Sequence, residues 1–133
     1  MKLFVFPLLL FLLNTCGHSN QQKQAVLNQE FQLGFKESVF VQSEKSRIGF
    51  RSLIQDSRCP KSVKCIAAGK AVVELEFVTG EESTTVQLST EGESSEIEIG
   101  EYKIKLVAVD PYPVSPGQKD PKEYSVRLLL SKD

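Results

Sequence analysis

The run Ala71-Val72-Val73-Glu74-Leu75-Glu76-Phe77-Val78-Thr79-Gly80-Glu81-Glu82-Ser83-Thr84-Thr85-Val86-Gln87-Leu88-Ser89 sets the fold class. Val73, Leu75 and Phe77 point one way while Glu74 and Glu76 point the other. That is the two-residue period of a strand with one buried face. Thr79-Gly80-Glu81-Glu82 carries hairpin-turn chemistry, and Val86 and Leu88 return on the inward face of a second strand.

The same alternation recurs on both sides. Upstream, Phe31, Leu33 and Phe35 alternate with Glu30, Gln32 and Gly34. After a break at Lys36-Glu37, the stretch 38–42 is rich in Val and Phe. A turn at 43–46 leads into 47–55, where Ile48, Phe50 and Ile54 are expected to share a face. Downstream, Ile97 and Ile99 make a short strand and Gly100 breaks it. Tyr102, Ile104, Leu106 and Ala108 then alternate. Four prolines and a glycine between Asp110 and Pro121 predict a long irregular loop. Tyr124, Val126, Leu128 and Leu130 line one face of a last strand. No 3.6-residue period runs long enough to mark a helix. Seven or eight short strands with regular turn signals predict an all-β domain. The expected form is a single antiparallel β-sandwich, Ig-like, with a small barrel as the alternative.

The stretch before Ala71 is chemically denser. Asp56-Ser57-Arg58-Cys59-Pro60 leads to Lys61, Val63, Lys64, Cys65 and Ala68-Gly69. Cys59 and Cys65 are expected to form an intradomain disulfide that closes a short loop. The connection has two readings. In one it is a stapled turn carrying the chain between sheets, with Asp56 accepting backbone N–H bonds and Arg58 pairing with Asp56 or with loop carbonyls. In the other the staple presents Asp56, Ser57, Arg58, Lys61 and Lys64 as a rigid binding patch, joined by Tyr112 from the proline-rich loop. The five-residue spacing does not match a redox C-x-x-C pair, and no second cysteine pair stands by to complete a zinc site.

The stretch Asp56 to Ala71, with its DSRCPxxVxCxxAGxA pattern, resembles a signature of small bacterial envelope proteins. The likeness covers roughly residues 30 to 131. It implies secretion and a β-rich fold, and it implies no particular activity. This chain has Ala67 where such proteins often carry tryptophan.

The N-terminus points the same way. Lys2 precedes an apolar run from Leu3 to Leu13, broken only by Pro7. The run is too short to span a bilayer, which takes about 20 residues, and fits the core of a signal peptide over residues 1–15. Leu13-Asn14-Thr15-Cys16 resembles a bacterial lipobox, although Asn14 and Thr15 are larger than the residues usual there. Cys16 is the expected lipidation site. It is also the cysteine left over, of three, once Cys59 and Cys65 pair. Residues 16–29 read as a polar tether and 30–133 as the sandwich. Gly17 is not the aspartate that, in Gram-negative lipoproteins, signals retention at the inner membrane, so the outer membrane is favoured.

Composition narrows the chemistry. Sixteen Lys and Arg stand against seventeen Asp and Glu, a balance that offers nucleic acid no electrostatic footing. The single histidine, His18, lies in the tether. Ser-His and Cys-His mechanisms go with it. Glu74/Glu76 and Glu96/Glu98 alternate with apolar residues and read as solvated sheet faces. Glu91, Glu93 and Glu96 suit calcium through hard oxygens but lack EF-hand spacing. No catalytic residue, metal ligand or cofactor is assigned. The expectation is a non-enzymatic, lipid-anchored envelope protein with a binding or structural role. Its partners would be the membrane, through the anchor, and an envelope protein or polymer. A protease-inhibitor-like module, a carboxylate-dependent hydrolase, and an assembly subunit with an exposed apolar edge strand are the alternatives.

Overall fold

The computed structural model describes residues 23–117 and 119–133. The signal peptide, Cys16, His18 and the first part of the tether lie outside the described residues. Nine strands follow in order: β1 (Gln24–Ala25), β2 (Glu30–Gly34), β3 (Ser38–Val41), β4 (Ser46–Asp56), β5 (Ala71–Thr79), β6 (Glu82–Ser89), β7 (Glu96–Ile99), β8 (Tyr102–Asp110) and β9 (Ser125–Lys132). Single 3-10 turns occur at Glu93–Ser95 and Pro121–Glu123.

The strands form two sheets, β1-β3-β4-β5-β6 and β2-β9-β8-β7. Their inner faces share one core, so the fold is a sandwich and not the small barrel. Leu33, Ile48, Phe50, Val73, Leu75, Phe77, Ile104, Val126, Leu128 and Leu130 are all sealed within it. Complete burial of such a side chain contributes about 1.5–3 kcal/mol. Phe77 meets Tyr102 across the sheets edge to face, ring centres 5.1 Å apart.

The β5–β6 hairpin holds the register its alternation requires, from Val72 opposite Ser89 to Thr79 opposite Glu82. Elsewhere three bulges alter the pattern. β4 shifts register between Phe50 and Ser52 and again between Leu53 and Gln55. Ile54 is therefore 48% exposed and does not share the inward face of Ile48 and Phe50. β8 shifts between Leu106 and Ala108, so Val109, not Ala108, turns into the core. An inserted residue reverses the parity of everything beyond it.

Three further expectations are corrected. The ordered domain begins before residue 30: β1 pairs with β3, and Ala25, placed in the tether by its polar surroundings, is completely buried. β1 and β3 run parallel, a departure from the all-antiparallel expectation. The stapled connection does not cross between sheets. It joins β4 to β5, which are antiparallel neighbours in one sheet.

Candidate functional site

Two bulged strands deliver the site. β4 ends at Asp56 and β8 ends at Val109-Asp110, at the same end of the sandwich. Between them lies Arg58, only 8% exposed. Its Nε donates to Asp56 Oδ1 at 2.8 Å and one terminal nitrogen donates to Oδ2 at 2.9 Å, a two-pronged carboxylate pair. That same nitrogen also donates to the Pro111 carbonyl at 3.1 Å, and the other terminal nitrogen donates to the Val109 carbonyl at 2.6 Å. The Tyr112 ring covers the guanidinium at 5.1 Å, and its hydroxyl donates to the Cys59 carbonyl at 2.9 Å.

Asp56 is equally occupied. Besides the guanidinium it accepts from the Arg58 backbone N–H at 3.3 Å and from the Tyr124 hydroxyl at 3.2 Å. Burial acts to raise its carboxyl. The Arg58 hydrogen bonds and charge, helped by Tyr124, outweigh it and hold the carboxyl below the usual aspartate value. Tyr124 is pushed up, first by burial and then by the Asp56 charge, so its hydroxyl stays a donor.

The loop itself is stitched down by backbone bonds. Ser57 and Cys59 donate to Lys70 and Ala68 at 2.8 Å each, while Lys61 and Ser62 donate to Pro113 and Val114. The Cys59–Cys65 disulfide closes it, with the two Cα atoms 5.9 Å apart. Gly69 sits at φ +67°, where a Cβ would lie 1.7 Å from the Ser57 carbonyl oxygen. No side chain fits that approach.

Of the six side chains expected in a displayed patch, the structure turns Asp56 and Arg58 inward, pairs them, and uses Arg58 to tie the stapled loop to the proline-rich loop, while the Ser57 hydroxyl donates to the Lys70 carbonyl. Both bonding schemes expected for Arg58, to Asp56 and to loop carbonyls, are present at once. Tyr112 is shared: its hydroxyl is spent within the loops while its ring remains 42% exposed. Lys61 lies 5.7 Å from that ring, and Lys64 faces solvent. Sequence reasoning missed Tyr124, whose alternation marked it only as a core position. It also missed a set of exposed apolar side chains on the two loops: Val63 (41%), Ile66 (110%) and Val114 (59%). Ile66 carried one signal, a large apolar residue outside any alternating stretch.

Two clefts flank Arg58. The first, about 320 Å³, is walled by Leu53, Ile54, Pro60, Pro113 and Tyr124, and its one lining carboxylate is Asp56, already bonded. The second, about 280 Å³, lies between Gly69, Thr90, Ala108 and Tyr112. Its Asp110 is paired with Arg127 at 2.8 Å. Glu91, Glu93 and Glu96 do not gather: among the described residues no cluster of three or more His, Cys, Asp or Glu is placed to hold a metal ion. Of the four edge strands, β6 and β7 expose Ser, Thr, Gln and Glu outward. No protein-family model matches the chain, and neither a curated protein nor a solved structure matches it.

Proposed function

We propose that this is an exported protein of the bacterial cell envelope, anchored by lipid on Cys16, in which the sandwich is a non-catalytic binding module. The observation that carries the reading is the Cys59–Cys65 bridge. Disulfides persist in oxidising compartments, and a bridge within the domain leaves Cys16 as the unpaired cysteine of an exported chain. The apolar leader and the likeness to envelope proteins agree with it.

The non-catalytic part rests on the site chemistry. A general base or nucleophile needs a free lone pair within reach of substrate. Asp56 is held by a guanidinium, a backbone N–H and a phenol, and its carboxyl is lowered, not raised. What this end offers instead is a rigid surface, built before any ligand arrives, with its apolar side chains facing outward.

Intact-mass and peptide analysis of the protein extracted from its own membranes is the test. The expected species begins at an acylated Cys16. A chain starting elsewhere, or carrying an unmodified Cys16, overturns the anchor.

A further inference from the structure

We infer that the stapled-loop end of the sandwich docks on the lipid surface that holds the anchor, laying Val63, Ile66 and Val114 into the bilayer interface with Lys61, Lys64 and Lys70 at the headgroups. This deepens the proposed function and rests on it for the position of the anchor.

The first argument is the direction in which the chain enters. β4 runs toward the stapled loop, with Ser46 at the far end and Asp56 beside it. β3 is antiparallel to β4, and β1 is parallel to β3. β1 therefore runs away from the stapled loop, and whatever precedes it leaves on the stapled-loop side. The Lys23 ammonium confirms the sense by reaching Glu37, at the Ser38 end of β3, at 3.0 Å.

The second argument is length. Lys23 precedes Gln24, which is level with Phe40, so it lies near the rung of Val39, Ile48 and Phe77. The rise from Phe77 to the Ala71 end of the sheet is about 20 Å at strand spacing. The residues from Cys16 to Lys23 reach at most about 25 Å. An anchor on Cys16 can come level with the stapled-loop end. The opposite end, two rungs from Phe77 at Thr79, is within the same length, so it is the direction of entry that favours the stapled-loop end.

The third argument is chemistry. The segment from Ser57 to Lys70 holds Arg58, Lys61, Lys64 and Lys70 and no Asp or Glu. Arg58 is neutralised by Asp56. The other three are exposed and have no ion-pair partner among the described residues. Exposed apolar side chains stand beside them, with the Tyr112 ring half out. An amphipathic aromatic among lysines and aliphatic tips suits an anionic headgroup layer. The opposite end exposes Glu81, Glu82, Glu101 and Asp133, which such a layer repels. The stapled-loop side also carries Glu91, which lines the cleft with Ala68 and Gly69, Glu93, and Asp120 and Glu123 ahead of β9, so its cationic surface free of acidic side chains is confined to the Ser57–Lys70 loop.

The chain contains no tryptophan, so Ile66→Trp gives a single fluorophore at the outermost apolar position. The mature chain carrying Cys16→Ser with Ile66→Trp is titrated with phosphatidylethanolamine/phosphatidylglycerol vesicles, and with phosphatidylcholine vesicles as control. The expected result is a blue shift and quenching by brominated acyl chains on the anionic vesicles alone. Lys61→Glu and Lys64→Glu should each weaken partitioning about fivefold or more. Ile66→Asp, at an exposed position, should abolish it with Tm unchanged. Unshifted emission, or sedimentation with vesicles that survives Ile66→Asp, overturns the docking. So does an Ile66-dependent crosslink to an envelope protein in the absence of lipid binding. Because this chain lacks the anchor, the result is independent of whether Cys16 is acylated in the cell.

Discussion

Arg58 shows how one side chain converts two loops into a single body. Its donors go to a carboxylate of its own loop and to two carbonyls of the proline-rich loop. Removing one member of a buried pair strands the other, which costs about 3–5 kcal/mol. Arg58→Ala is therefore expected to lower Tm by at least about 10 °C in a domain of this size. Arg58→Lys should recover little of that loss, because an ammonium cannot make the planar two-pronged contact while also reaching Val109 and Pro111. Thermal melts of the three chains decide it; a lysine variant as stable as the parent would reduce Arg58 to a simple charge. The sequence held the partners but not their direction. Asp56 and Arg58, two residues apart, read equally well as a displayed pair or an inward one. What decides the matter is the placement of Val109 and Pro111, about fifty residues on.

At the scale of elements, alternation was enough to find strands β2 to β9, and the strongest of them, β5, keeps Val73, Leu75 and Phe77 inward as read. What alternation could not supply is parity after a bulge. Ile54 and Ala108 were placed inward by counting in twos, and each lies beyond an inserted residue that no composition marks. β1 escaped for a different reason: a strand of two residues, Gln24 and Ala25, carries no period, and the burial of Ala25 comes from pairing with β3. The stapled connection was legible as an element because its cysteines, proline and glycine are rare types in one place. Closing so short a loop removes about 2 kcal/mol of unfolded-chain entropy. Cys59→Ala is accordingly expected to lower the midpoint of urea unfolding under oxidising conditions and to leave the slope nearly unchanged. With reductant present, parent and variant should converge. Equal midpoints without reductant would show that Arg58 and the backbone bonds hold the loop alone.

For the molecule as a whole, the carboxylates whose affinity for protons changes on folding all move the same way. Glu37 is lowered first by the Gly34 N–H, Glu44 by the Tyr102 hydroxyl, and Glu76 by the Ser83 hydroxyl, while at Asp56 the Arg58 contacts overcome the effect of burial. A lowered carboxyl contributes stability above its unfolded value and loses it as pH falls through the folded one. Lys103, Lys132 and Arg127 are raised, first by bonds to Glu96, Glu44 and Asp110, and their contribution is complete until strongly alkaline pH. Tm should thus be nearly flat from about pH 5 to 8 and fall below about pH 4. A maximum in the acid range would contradict these pairings. The order of the second sheet has a consequence for how the chain is made. β9 lies between β2 and β8, and Phe31 of β2 pairs with Leu128 of β9 across almost the whole length of the domain. A chain emerging N-terminus first carries β2 as an unpaired, half-apolar ribbon until the final segment is through. Loop-closure entropy makes that pairing slow even then. A ribosome that stops short of Ser125 leaves not a shorter sandwich but half of one, with its β2 and β8 edges open to proteases and to other nascent chains.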